Sequence, residues 1–168
     1  PPCTPSQVFY GNEMFYLFFR LHQLLCKRLE RALAMVGEAD RQQASGPSVR
    51  QKFLGILARF LRSMSRTGDR DDDAKADFEE QAEFLLGANS YVLTNLDVLV
   101  GRIVRQLHSL VGTGSDSSAI GAHLLELHAL HISRVKMASV RGDATPFLLD
   151  SLYRDSVSEL LNPGDTCY

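Results

Sequence analysis

The sequence predicts an all-α fold, a helical bundle of about six helices. Apolar side chains recur three and four positions apart in several long stretches, which is the spacing of helices with one buried face. Glycine, proline and clusters of polar residues separate these stretches. Strict alternation of apolar and polar residues never persists long enough to require a sheet.

The first predicted helix, within residues 8–37, is rich in aromatic side chains. Asn12 is its predicted N-cap and Gly37 its predicted end. Its main apolar stripe comprises Phe15, Phe18, Phe19, His22, Leu25, Cys26, Leu29 and Leu33. Further apolar residues lie off this stripe, so the first half of the helix must be covered on two sides. We expect a central strut or an inter-domain contact, with His22 inside the core.

A second amphipathic helix is predicted after the polar break at residues 42–48, with Ser48 as its cap. Its apolar stripe comprises Val49, Phe53, Leu57, Phe60, Leu61 and Met64. The acidic break at residues 68–73 is expected to be a solvated loop. It lacks the glycine turn and the closing glutamate of a calcium-binding loop.

The third predicted helix is short and ends at a joint at Gly87. Its apolar residues are Phe78, Ala82, Phe84 and Leu85, and Glu79, Glu80 and Glu83 are expected to face outward. A long helix follows, whose apolar stripe comprises Val92, Leu96, Leu99, Ile103, Leu107 and Leu110. The regular spacing of this stripe is the clearest helical signal in the chain.

Residues 118–162 are predicted to form a C-terminal pair of helices. The first has a stripe of Ile120, Leu124, Leu127, His131 and Val135. Thr145-Pro146 is a typical start for the second, because proline suits the first helical position. Its apolar residues are Leu149, Leu152, Tyr153, Leu160 and Leu161, and Asn162-Pro163-Gly164 should end it.

Composition narrows the class of protein. The 168 residues carry 18 basic and 20 acidic side chains, and this near-neutral charge argues against a dedicated nucleic-acid binder. No uncharged apolar run approaches the roughly 20 residues of a membrane-spanning helix, so we expect no membrane contact. The three cysteines, Cys3, Cys26 and Cys167, show no metal-binding spacing and are expected to be free thiols. We expect one all-α module, 1–168, from a longer scaffold chain.

Motifs for catalysis are missing from the sequence. The five histidines show no metal-ligand spacing, and neither a nucleophile elbow nor a phosphate loop occurs. We therefore expect no catalytic residue, cofactor or metal. A hydrolase or metal-dependent enzyme with a site assembled from distant residues, including His22 or His128, remains an alternative. Amphipathic helices with aromatic anchors can also leave a cleft for a partner helix, although periodicity alone favours a core role for the same residues.

Two stretches resemble a known family. The run 8–25, which reads VFYGNEMFYLFFRLHQLL, and the stretch 78–108 resemble the switch-independent, or paired amphipathic helix, transcriptional corepressors. These proteins are scaffolds of histone deacetylase complexes. The closing residues 161–168 also resemble the continuation of that family. Order and spacing agree across essentially the whole chain.

The resemblance implies the C-terminal region of such a scaffold, with a divergent fourth paired-amphipathic-helix repeat at 49–111. The acidic insert at 69–77 interrupts this repeat, so docking to other subunits is favoured over peptide capture. The implied protein is a nuclear, non-enzymatic scaffold. Its partners would be protein subunits of a histone deacetylase complex, with amphipathic helices of repressors as a second class.

The candidate partner-binding residues are aromatic and leucine side chains of the first, second and fourth helical segments. They are Phe15, Phe18, Phe19, Phe53, Leu57, Phe60, Leu61, Tyr91, Leu96 and Leu99. A minor alternative is contact with nucleosomal DNA through a basic face. That face would comprise Arg59, Arg62, Arg66, Arg102 and Arg105.

Overall fold

The computed structural model describes residues 8–42, 48–67, 72–111, 116–141 and 146–161. Helices α1 to α6 span Glu13–Gln42, Val49–Thr67, Asp72–Leu86, Leu96–Val111, Asp116–Arg141 and Pro146–Leu160, and a 3₁₀ helix spans Gly87–Leu93. The described residues contain no strand, which confirms the predicted all-α class.

The chain divides into two compact units. The central unit is Leu21–Arg102, and the terminal unit combines the residues up to Arg20 with those from Ile103 onward. Helices α1 and α4 each contribute residues to both units.

The core of the central unit joins α1, α2, α3, the 3₁₀ helix and the start of α4. Its buried residues are Ala32, Val36, Phe53, Phe60, Phe78, Ala82, Leu86, Leu93 and Leu96. The rings of Phe60 and Phe78 stack with their centroids 4.2 Å apart, which fixes α2 against α3. The predicted cap of α2 is confirmed, because the Ser48 hydroxyl accepts a hydrogen bond from the amide of Gln51.

The core of the terminal unit joins the aromatic start of α1 to α4, α5 and α6. Its buried residues are Phe15, Leu110, Leu124, Tyr153, Val157 and Leu161. At the start of α1, the side chain of Asn12 accepts a hydrogen bond from the amide of Phe15, which confirms the predicted cap. Helix α5 approaches α4 closely, because a Cβ added at Gly121 would lie 2.9 Å from the carbonyl oxygen of Leu110.

The ends of two helices differ from the prediction. Helix α1 continues through Gly37 to Gln42, because glycine ends a helix only where it adopts the left-handed conformation, and Gly37 has no positive φ. The long fourth helix begins at Leu96 rather than Val92. Gly87 is a joint as predicted, with φ of 57°, and Asn95 has the same positive φ directly before α4.

Burial also corrects several predicted core positions. Phe84 is 87% exposed, and Leu107 and Leu152 are about half exposed. His22 is also exposed rather than inside the core, and a ring nitrogen lies 3.8 Å from the half-buried sulfur of Cys26. Helical spacing predicts that residues share a face, but it does not tell whether a neighbouring element covers that face.

Several other predicted features fall outside the described residues. They are Cys3, Cys167, Thr145, residues 68–71 of the acidic break and the end signal at 162–164. Asp72 and Asp73, at the end of that break, belong to the first turn of α3.

Candidate partner-binding surface

A groove lies between α2 and α3 on the surface of the central unit. It encloses about 600 Å³ and is lined by Gln51, Lys52, Gly55, Ile56 and Arg59 from α2 and by Asp77, Glu80, Gln81, Phe84 and Leu85 from α3. Ile56 and Leu85 are half-buried and pack against the core. The exposed ring of Phe84 therefore adds to an apolar surface that is already anchored in the unit.

The two sides of this groove carry opposite charges. Helix α2 supplies Lys52 and Arg59, whereas α3 supplies Asp77 and Glu80. The guanidinium of Arg59 lies 3.8 Å from the carboxylate of Asp77, and both side chains are more than half exposed, at 68% and 52%. A solvent-exposed ion pair of this kind contributes at most about 1 kcal/mol.

The candidate partner-binding residues of the central unit divide into buried and exposed groups. Phe53, Phe60, Leu96 and Leu99 are buried, with Phe53 only 1% exposed, so these side chains support the core. Leu57 is half-buried, and Leu61 and Tyr91 are exposed. None of the seven lines the groove. Their contact with a partner stays a prediction, which fits the exposed members better.

Tyr91 is held against α1. Its hydroxyl lies 2.8 Å from a guanidinium nitrogen of Arg31, which donates a hydrogen bond. The same guanidinium lies 5.6 Å from the ring centroid, in cation–π geometry. One turn away, Arg28 donates to the carbonyl oxygen of Thr94. These contacts anchor the 3₁₀ helix and its turn to α1.

The remaining candidates, on the first turns of α1, belong to the terminal unit. Phe15 is buried, Phe18 is half-buried and Phe19 is nearly half exposed. The ring of Phe9 packs edge-on against Phe15, Phe19 and His128. The aromatic residues of the run 8–25 thus form a cluster from which Phe19 emerges.

A polar cluster lies between α5 and α6 in the terminal unit. His131 is buried and stacks on Tyr153 at 4.5 Å. Its Nε2 atom lies 3.2 Å from a carboxylate oxygen of Asp150, although the two atoms are not aligned for a hydrogen bond. The Tyr153 hydroxyl lies 3.3 Å from Nδ1 of His128. Because His131 is enclosed, a substrate cannot reach it.

Burial lowers the pKa of His128 below its ordinary value, and the nearby charge of His131 lowers it further. The neutral imidazole of His128 is therefore the form that the fold favours. This environment accounts for His128 as part of a structural cluster.

The basic face proposed as an alternative is only partly described. Arg59, Arg62, Arg102 and Arg105 are exposed, whereas the side chain of Arg66 lies outside the described part. Arg59 faces the carboxylate of Asp77. The local potential around it is therefore mixed rather than uniformly positive.

Among the described side chains, no three histidine, cysteine or acidic residues are grouped as metal ligands. No single described helix is long and apolar enough to cross a membrane, although the stretches Asp73–Leu93 and Leu96–Val111 meet that test when taken together.

The family follows from comparison with known proteins. Residues 9–168 match the family described as the C-terminal domain of Sin3a protein. The chain belongs to the Sin3 family of paired amphipathic helix corepressors. Paired amphipathic helix protein Sin3-like 6 of Arabidopsis thaliana is 36% identical over 126 residues, which are 74% of this chain. Sin3-like 1 of the same plant is 34% identical over 163 residues, which are 93% of the chain.

The chain spans only about a tenth of the length of these Sin3 relatives, 10% in each case. No solved structure matches it. The match to the Sin3 family confirms the resemblance drawn from the runs 8–25 and 78–108.

Sequence reasoning missed the residues that line the groove. Phe84 was grouped with the core residues of α3, yet on a helical projection it lies more than 100° from Phe78 and Ala82. It shares its side of α3 with Asp77, Glu80 and Gln81. The signal in the sequence was therefore a single aromatic residue on a charged helix face.

Proposed function

We propose that this chain is a non-enzymatic docking module of a nuclear Sin3 corepressor and contributes to the assembly of a histone deacetylase complex. The observation that carries the proposal is the open groove between α2 and α3, in a chain of this family. Its contacts would be with protein subunits rather than with a substrate. Repression would follow from bringing the deacetylase to the corepressor's targets.

The exposed apolar surface of the groove supports this role. Phe84 is 87% exposed, and burial of a phenylalanine side chain contributes about 1.5–3 kcal/mol. Ile56 and Leu85 have further surface to bury. A large aromatic side chain beside a depression is typical of residues that dominate the binding energy of an interface.

Recovery of deacetylase activity tests the proposal. The tagged 168-residue chain is incubated with plant nuclear extract, and the recovered material is assayed for histone deacetylase activity. The test variant is Phe84→Asp. The matched control is Leu54→Asp, because Leu54 is an exposed apolar residue of α2 outside the groove. Far-UV circular dichroism establishes that both variants are folded.

We expect activity with the wild type and with Leu54→Asp, and a loss of at least about tenfold with Phe84→Asp, since tenfold corresponds to 1.4 kcal/mol. Equal activity with all three chains would place the docking contact elsewhere and contradict the role of the groove. No activity with any of them would contradict the docking function of the chain.

A further inference from the structure

Gly55 occupies an unusual position on the groove. It lies in the interior of α2, where glycine is less favourable than alanine. A Cβ added at Gly55 would meet no described atom within 4 Å. By contrast, Gly121 is required by the carbonyl of Leu110 at 2.9 Å. Since packing of the described residues does not require a glycine at position 55, close approach by a partner is a physical reason for one.

The surroundings of Gly55 define what such a partner must offer. Lys52 and Arg59 lie one turn to either side of Gly55 along α2. Across the groove, α3 presents Asp77 and Glu80. A partner therefore meets positive charge along one edge of the groove and negative charge along the other.

The length of the groove suits a helix. Its lining on α2 runs from Gln51 to Arg59, or about 12 Å at the rise of an α-helix. Apolar residues at positions i, i+3, i+4 and i+7 of a partner helix cover a similar length. An extended strand would need an exposed sheet edge, which the described residues do not provide.

We propose that the groove selects an amphipathic α-helix with an acidic row on one side of its apolar face and a basic row on the other. The acidic row would lie along Lys52 and Arg59, and the basic row along Asp77 and Glu80. One bulky apolar side chain would rest on Gly55, beside Ile56 and Phe84. The proposal rests on the proposed docking function and names the chemistry of the partner.

The Arg59–Asp77 ion pair fits this selection. Because it is exposed, its partners can be exchanged at little cost. A carboxylate of the incoming helix would replace Asp77 as the partner of Arg59, and an ammonium group would replace Arg59 as the partner of Asp77. Charge would then remain balanced on both sides of the groove.

Helix direction determines which control peptide is informative. Turning a helix end over end on the groove exchanges its two edges. A peptide with exchanged acidic and basic rows would therefore bind in the opposite direction. The informative controls carry the same charge on both edges, because each must place one row against like charge.

The test uses three fluorescent peptides of about 18 residues with the same leucine face. One carries glutamate on one edge and lysine on the other, the second glutamate on both edges, and the third lysine on both. Affinity for the 168-residue chain is measured by fluorescence anisotropy. We expect the split-charge peptide to bind at least about tenfold more tightly than either control, with a smaller difference at high salt.

Two glycine variants test the contact at Gly55. Gly55→Ala and Gly37→Ala are matched, because both residues lie inside helices and neither has an atom within 4 Å of an added Cβ. Both variants should raise the midpoint of thermal unfolding, by about 2 °C. Only Gly55→Ala should weaken binding of the split-charge peptide, by about fivefold or more.

Three results would overturn the proposal. They are equal affinity for the three peptides, unchanged binding by Gly55→Ala, and self-association of the chain in sedimentation that Phe84→Asp abolishes. The last result would make a second copy of the chain the occupant. Selective peptide binding without recovery of deacetylase would retain this inference and contradict the proposed function, and the opposite pair of results would do the reverse.

Discussion

Replacing Phe53 by alanine distinguishes a core residue from a contact residue. Phe53 was predicted to bind a partner, but it is 1% exposed within the core of the central unit. Loss of its ring removes about 1.5–3 kcal/mol of transfer free energy, and the remaining cavity raises the total to about 3–5 kcal/mol. Phe84→Ala removes the same atoms from an exposed position and should change the free energy of unfolding by less than about 0.5 kcal/mol.

Urea unfolding followed by far-UV circular dichroism measures both values. We expect a markedly lower midpoint for Phe53→Ala and a midpoint close to the wild type for Phe84→Ala. Binding of the split-charge peptide should show the reverse order in the folded variants. A cost below about 1 kcal/mol for Phe53→Ala, or equal costs for the two variants, would refute the assignment of Phe53 to the core.

Three further changes probe local contacts. The hydrogen bond from Ser48, followed by those from the amides of Val49 and Arg50, lowers the pKa of Asp40. Asp40→Asn should therefore lower the thermal midpoint at neutral pH, and this difference should shrink as pH falls below 3.8 through the folded-state pKa. Gly121→Ala should lower the free energy of unfolding by about 1–3 kcal/mol in urea titrations; an unchanged value would contradict the close approach of α5 to α4. The lowered pKa of His128 implies that stability decreases as pH falls from 6.5 towards the folded-state value. His128→Gln should reduce this slope in thermal melts across that range, and an identical slope would count against it.

The sequence by itself determined the fold class and most of the helices. The stripe Leu124, Leu127, His131 and Val135 predicted α5, and the stripe Phe53, Leu57, Phe60 and Met64 predicted α2, because a helix places residues three and four apart on one face. The caps Asn12 and Ser48 were also readable, since they depend on side-chain bonds within one turn. The aromatic run 8–25 was specific enough to indicate the Sin3 family.

Tertiary structure decided which apolar residues remain available to a partner. Phe53 and Phe84 are the same residue type on neighbouring amphipathic helices, yet one is enclosed and the other is open to solvent. The continuation of α1 to Gln42 likewise brings the carboxylate of Asp40 to the first turn of α2. The groove at Gly55 arises from the packing of α2 on α3. Burial depends on which elements meet across long separations in the chain, and periodicity within one helix carries no information about that meeting.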